Sequence, residues 1–129
     1  IADQITLKSP DISAEQIEKA LKTAGLWESV NALEKGWDTP YKPGLFSQGQ
    51  LQLLSIARAV AAEPAILLLD EITANLDSVT EKKVLAALQE ASKRRTVISI
   101  SHRLYQQAGG RRFRVDGKKG GWEGEDMLN

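Results

Sequence analysis

Two apolar runs of this sequence end in residues that can bind a cation or move a proton. Asp70 and Glu71 follow the run 65–69, and His102 lies two residues after the run 96–100. Of two adjacent carboxylates, the first can hold Mg²⁺ directly or through water, and the second can orient and deprotonate an attacking water. His102 can contact a phosphoryl group that develops charge. The same residues are also typical of strand ends that simply meet solvent, so this pattern alone leaves both interpretations open.

A third candidate lies at residues 45–50, where the sequence LFSQGQ leads from a loop into a predicted helix. Ser47 can cap that helix, and Gly49 lets a ligand come close to the backbone. The N–H groups at a helix N-terminus lack partners within the helix, so they favour a bound phosphate. An ordinary helix cap after a loop rich in Gly and Pro explains the same residues without any ligand.

The elements that would position these residues are two strands and the helix between them. Each apolar run is short and continuous, which predicts strands buried on both faces of a parallel sheet. Ser78 and Glu81 fit a capping box, and apolar spacing continues a helix to about Lys93. Strand, helix and strand form a right-handed crossover unit in a parallel sheet. Ligands bind beyond the carboxyl ends of such strands, so we expect the two carboxylates and the imidazole to lie close together.

The chain is predicted to be mostly helical before the first strand and mostly irregular after the second. Ser13 and Gln16 fit a capping box at the start of a helix that Gly25 ends. Residues 105–129 contain six of the ten glycines, which predicts turns or a poorly ordered segment. The other expected elements are a linker or short edge segment at 1–10, a short helical turn at 27–33, a loop at 36–44, a helix at 48–62 and a short strand at 112–115.

Length and composition restrict the possible classes of protein. A chain of 129 residues suits one domain, and its hydrophobic and charged fractions of 42% and 26% are those of a soluble globular protein. Its 17 basic and 17 acidic residues cancel, so no net field attracts nucleic acid or acidic lipid. The absence of cysteine excludes disulfides and thiolate metal sites. The longest apolar stretch, residues 65–69, is too short to span a bilayer.

Four motifs in order give the chain a family resemblance. The sequence reads LFSQGQ at 45–50, ILLLDE at 66–71, ANLD at 74–77 and SISHR at 99–103. This order and spacing resemble the signature, Walker B, D-loop and switch-histidine motifs of the nucleotide-binding domain of ABC transporters, especially the exporter type. The likeness covers residues 1–116. It implies an α/β, P-loop NTPase-like fold in which a helical subdomain (1–64) precedes the second half of the ATPase core (65–129).

The resemblance also implies a mechanism that uses ATP and Mg²⁺. Two such domains would close head to tail on two ATP molecules, and the helical subdomain would touch a membrane-spanning partner at the cytoplasmic face of the cell membrane. Nucleic acid is not an expected partner. The implied roles are Mg²⁺ binding for Asp70, polarisation of the attacking water for Glu71, γ-phosphate contact for His102, contact with the partner's ATP for Ser47, Gln48, Gly49 and Gln50, and a position across the dimer seam for Asp77.

The chain departs from the family pattern in two places. Gln48 stands where the family has Gly, and its side chain is expected to alter how closely the backbone approaches phosphate. No G-x-x-x-x-G-K-S/T motif occurs, so no P-loop is available to cradle the α- and β-phosphates. Together with the start at Ile1, this predicts a domain truncated at its N-terminus. We therefore expect the chain alone neither to bind MgATP well nor to hydrolyse it.

Two other interpretations fit parts of the pattern. An ATPase lobe of the SMC or DNA-repair kind also carries a signature motif and a Walker B strand, but no heptads precede residues 45–50 here. A non-catalytic interaction module would keep the fold and lose ATP. Glu71 and His102 argue against that module, because a retired site needs neither of them.

Overall fold

A computed structural model describes residues 1–70, 76–100, 111, 113–116 and 119–122 of the chain. Helices dominate the first half and strands enter in the second, as the sequence predicts for an α/β protein. A 3₁₀ turn at Gly36–Asp38 interrupts the predicted loop. The remaining elements, in chain order, are α1 (Ala2–Thr6), α2 (Ala14–Thr23), α3 (Trp27–Asn31), α4 (Gln48–Ala61), β1 (Ile66–Asp70), α5 (Ser78–Ser92), β2 (Thr96–Ile100), β3 (Phe113–Asp116) and β4 (Lys119–Trp122).

The helix α2 begins and ends where local chemistry predicts. Ser13 and Gln16 form the expected capping box, in which each side chain accepts a hydrogen bond from the other residue's backbone N–H. At the other end, Gly25 adopts a left-handed conformation with φ of 70°. The N–H of Leu26 then donates to the carbonyl of Leu21 at 2.9 Å, which completes a Schellman motif. These predictions are confirmed.

The hydrophobic core of the first half forms where α1 and α2 pack on α4. Leu21 of α2 and Ile56 of α4 are almost completely buried. The prediction of a linker or edge segment at residues 1–10 is wrong, because α1 lies there and buries Ile5. The Arg58 guanidinium of α4 donates to the Gln4 carbonyl at 2.6 Å and holds α1 in place. A five-residue helix is too short to show a helical period, so tertiary packing decides its conformation.

The strands β1 and β2 form the predicted parallel pair, with Ile66 opposite Thr96 and Asp70 opposite Ile100. The expectation that both faces are buried is wrong. Leu67 and Leu69 join the core, whereas Leu68 is 72% exposed and Ile98, opposite to it, is 50% exposed. Side chains alternate between the faces of a strand, so one face packs on the helices and the other is open within the described residues. We call Ile66, Leu68, Ile98 and Ile100 the open sheet face.

The helix α5 starts one residue earlier than the sequence suggested. The predicted capping box of Ser78 and Glu81 is wrong, because Asp77 is the N-cap residue and Ser78 is already helical. The Asp77 carboxylate accepts hydrogen bonds from the N–H groups of Val79 and Thr80, both at 3.0 Å. A carboxylate is as good a cap as a hydroxyl and also favours the positive end of the helix dipole.

The strands β3 and β4 form an antiparallel hairpin. The short strand predicted at 112–115 is confirmed as β3. No second strand was predicted after it, but β4 lies at Lys119–Trp122. Phe113 lies opposite Trp122, and their rings meet edge to face with centroids 5.1 Å apart. Gly120 and Gly121 concealed β4 from sequence reading, because glycine is depleted in strands.

The described helices are also informative about membranes. Among them, none combines the length and the apolar character that crossing a bilayer requires.

Candidate functional site

The N-terminus of α4 is organised by a capping box. The N–H of Gln50 donates to Ser47 Oγ at 3.2 Å, and the N–H of Ser47 donates to Gln50 Oε1 at 2.9 Å. Within the described residues, no group accepts a hydrogen bond from the N–H of Gln48 or Gly49. These two donors lie at the positive end of a 14-residue helix, which is an arrangement that favours an anion.

The capping box also leaves donors on the two side chains. Ser47 Oγ accepts the backbone hydrogen bond and retains its own hydroxyl hydrogen. The Gln50 carboxamide uses its oxygen in the box and keeps its NH₂ group. Gln48 is exposed to solvent. The start of α4 therefore presents backbone and side-chain donors together, and donors are what a phosphate requires.

Gly49 is buried against α5. A Cβ atom built on Gly49 would overlap the methyl carbon of Thr80. A larger residue at position 49 would therefore have to displace the Thr80 side chain or move the two helices apart. This contact fixes where the N–H groups that lack an acceptor among the described residues lie relative to α5.

Asp77 is linked to the same place through Thr80. The Thr80 hydroxyl donates to Asp77 Oδ2 at 2.6 Å, while Asp77 Oδ1 accepts the two backbone N–H groups that cap α5. The hydrogen bond from the Thr80 hydroxyl, helped by those from the Thr80 and Val79 N–H groups, lowers the pKa of Asp77 below its usual value. Asp77 is thus an exposed, ionised carboxylate held in one orientation.

A groove of about 480 Å³ runs between the end of α2, the start of α4 and one side of α5. Ser47, Gly49 and Gln50 line it, so the structure brings three of the predicted site residues together with Thr80. Two lysines also line the groove and add positive charge. Lys22 is paired with Glu18 at 2.6 Å and lies 5.1 Å from the Trp27 ring centre, and Lys83 is exposed.

The sheet edge expected to hold Asp70, Glu71 and His102, which we call the carboxylate edge, is described only in part. Asp70 ends β1 with its side chain exposed, opposite Ile100 at the end of β2. It does not line the groove at α4. Glu71 and His102 lie outside the described residues. In the part of the chain that is described, no group of three or more His, Cys, Asp or Glu side chains is arranged to hold a metal ion.

Sequence reading missed Thr80, Lys22 and Lys83. Thr80 had one local signal, because it lies three residues after Asp77, where a side chain can return to an N-cap. The two lysines reach the groove from α2 and α5, and no spacing in the sequence links them to Ser47. The groove is therefore a product of tertiary packing.

Comparisons with known proteins agree with the motifs. The family profile described as ABC transporter matches residues 2–74. The uncharacterized ABC transporter ATP-binding protein YfiC of Bacillus subtilis is 43% identical over 106 residues, which are 81% of this chain and 18% of that protein. The ABC multidrug transporter mdr1 of Aspergillus fumigatus is 46% identical over 96 residues, which are 73% of this chain and 7% of that protein.

A solved structure supports the same relationship at the level of the fold. A bacterial Atm1-family ABC exporter with ATP bound superposes with a TM-score of 0.63 and 34% identity, over 79% of this chain and 18% of that one. The chain thus spans less than a fifth of the length of each of these relatives. The partial P-loop NTPase-like fold implied by the resemblance is confirmed. Motifs, fold and matches agree that this chain belongs to the ABC transporter family.

Proposed function

We propose that the signature motif of this chain, residues 45–50, forms one side of an ATP site in an ABC exporter. The N-terminus of α4 would bind the γ-phosphate of an ATP molecule whose other phosphates lie in the P-loop of a partner domain. The observation that carries this proposal is the start of α4, where the N–H groups of Gln48 and Gly49 have no acceptor within the described residues. The Ser47 hydroxyl and the Gln50 amide would add two donors. Donors placed in advance stabilise charge that develops during phosphoryl transfer.

The carboxylate edge would serve a second ATP molecule, bound on this chain's own side. Asp70 is an exposed carboxylate, and carboxylate oxygen is a ligand that suits Mg²⁺ with its retained waters. Bound Mg²⁺ would neutralise phosphate charge. Glu71 would polarise the attacking water, and His102 would contact the γ-phosphate. Support for grouping them comes from the register, because Asp70 and Ile100 are paired and Glu71 and His102 follow them closely along the chain.

The partners in this proposal are a second nucleotide-binding domain and a transmembrane domain. Asp77 would lie at the seam of a head-to-tail dimer, and its exposed, oriented carboxylate suits that position. The chain would act at the cytoplasmic face of the cell membrane. The exporter and multidrug transporter names of the relatives support this assignment. A formal net charge of zero gives no reason to expect nucleic acid.

The chain alone is not expected to complete the reaction. It contains no G-x-x-x-x-G-K-S/T motif, so backbone groups that cradle the α- and β-phosphates must come from elsewhere. We therefore propose that ATP turnover requires a P-loop placed opposite α4.

A chimera tests the proposal directly. The superposable part of this chain replaces the matching part of the Atm1-family exporter, whose structure holds ATP. We expect the chimera to hydrolyse ATP and Glu71→Gln to abolish turnover. Ser47→Ala should lower kcat by roughly 10²-fold, as removal of a donor to a developing oxyanion does.

Ser13→Ala is the matched control for Ser47→Ala. Ser13 caps α2 through the same box, also with Gln three residues later and also with an acceptor distance of 3.2 Å. The two substitutions should therefore destabilise their helices similarly, while only Ser47→Ala affects turnover. A folded chimera that hydrolyses ATP equally well with either substitution would refute the phosphate role of α4.

A further inference from the structure

We propose that Thr80 is a positioning residue that links the N-terminus of α4 to Asp77. Its side chain makes two contacts in opposite directions. The methyl group fills the space beside Gly49, and the hydroxyl donates to the Asp77 carboxylate at 2.6 Å. This residue therefore joins the candidate phosphate donors to the carboxylate expected at the partner seam.

The methyl contact with Gly49 is close. A Cβ on Gly49 would overlap Thr80 Cγ2 and would lie 3.2 Å from both Thr80 Cβ and Thr80 Oγ1. Gly49 is buried and Thr80 is half-buried, so the contact lies within the packed junction of α4 and α5. A displacement of Thr80 toward α4 must then move the backbone of Gly49, whose N–H is one of the two unpaired donors.

The hydroxyl contact is equally constrained. Asp77 Oδ1 is engaged with the backbone N–H groups of Val79 and Thr80, and Oδ2 is engaged with the Thr80 hydroxyl. Both contacts of Thr80 originate from one branched Cβ, so a single χ1 angle sets them together. Rotation that releases Asp77 also withdraws or displaces the methyl group at Gly49. Thr80 thus makes the orientation of Asp77 and the position of the Gly49 N–H interdependent.

The functional consequence rests on the proposed function. If a partner domain contacts Asp77, Thr80 transmits a change at that carboxylate to the donors that face the γ-phosphate. Nucleotide binding and closure at the seam would then be coupled through one side chain. The link itself exists without nucleotide, so it can be measured separately from ATP turnover.

The experiment follows the backbone amide resonances of Gln48 and Gly49 by NMR in the full 129-residue chain, without nucleotide. Asp77→Asn is introduced as the perturbation, because asparagine still caps a helix but lacks the charge. We expect Asp77→Asn to shift both resonances when position 80 keeps its native threonine. The shift should fall roughly threefold or more in Thr80→Val, which keeps the methyl, and in Thr80→Ser, which keeps the hydroxyl. Thr96→Val, an exposed substitution in β2, is the matched control and should leave the shift unchanged.

Two outcomes would overturn the proposal. One is that Asp77→Asn shifts the Gly49 resonance by the same amount with native Thr80, with Thr80→Val and with Thr80→Ser. The other is that Asp77→Asn shifts neither the Gln48 nor the Gly49 resonance when Thr80 is native. A carboxyl titration of Asp77 gives a second readout, because its pKa should rise in Thr80→Val and stay low in Thr80→Ser. Loss of ATP turnover in the chimera would not alter these results, so failure of the coupling and failure of the proposed function are distinguishable.

Discussion

Apolar side chains are buried in the helical region at residues 1–64, but on one face of the β1–β2 sheet they are exposed. In the helical region, α1 and α2 close over α4, and Leu21 and Ile56 are buried almost completely. In the sheet, the open sheet face exposes two residues from each strand. Within the described residues, the start of α4 packs against α5, whereas the sheet that ends in Asp70 is packed on one face only. The contrast predicts different responses to substitution in the two regions.

The largest difference should appear when buried and open positions are truncated in parallel. Leu21→Ala removes a fully buried side chain and should lower the free energy of unfolding by about 2–5 kcal/mol. Leu68→Ala on the open sheet face should change it by about 0.5 kcal/mol or less. Urea unfolding of the two variants measures both. Comparable losses at the two positions would mean that the sheet face is covered in solution.

A smaller effect is expected where α4 meets α5. Gly49→Ala places a methyl group against Thr80 and should cost about 1–3 kcal/mol of unfolding free energy, as overpacking does. Adding Thr80→Ser removes the obstructing methyl and should recover most of the loss, while adding Thr80→Val should not. Thermal or urea unfolding of the three variants checks this. A Gly49→Ala chain as stable as the parent would contradict the close packing of the two helices.

The open sheet face should also promote self-association. An apolar face without cover tends to find another such surface, so we expect the chain to associate at high concentration. Leu68→Glu should weaken that association by roughly tenfold, equivalent to about 1.4 kcal/mol. Val79→Glu is the control, since Val79 is also exposed but lies on α5. Sedimentation velocity across a concentration series tests it, and a strictly monomeric parent chain would count against the prediction.

The smallest effect concerns the pH dependence contributed by Asp77. Hydrogen bonds from Thr80 and Val79 hold the pKa of Asp77 below its ordinary value of about 3.9. The stability that Asp77 contributes is therefore fully present above that ordinary value and is lost as the pH falls through the lower, folded-state pKa. The stability difference between the parent chain and Asp77→Asn should shrink as the pH drops below about 4. Unfolding measured from pH 6 to 2 reveals it, and a difference that stays constant with pH would oppose it.

Local chemistry made much of the fold predictable from sequence. The Ser13–Gln16 capping box, the cap at Ser47, the stop at Gly25 and the parallel strand pair depend on residues close together in the chain or on continuous apolar runs. The features that sequence reading missed depend on distant packing. The helix α1 is held by α4, and β4 gains its strand conformation from pairing with β3.

The candidate site also contains features that the sequence indicated and features that depend on distant packing. The resemblance to ABC transporters indicated Ser47, Gln50 and Asp77, and the structure gives each a defined local geometry. Gly49 also packs against Thr80, thirty-one residues further along the chain, and no local pattern indicates that contact. The burial expected for β1 failed because a continuous apolar run does not reveal which face of the strand is covered.

Calorimetric titration with MgATP, of the 129-residue chain and of the exporter chimera in parallel, tests most directly whether this chain carries one side of a nucleotide site. The chain alone should give no saturable heat, because it has no P-loop motif, and the chimera should bind saturably. Saturable binding by the chain alone would contradict this, since it would require a phosphate cradle within these residues.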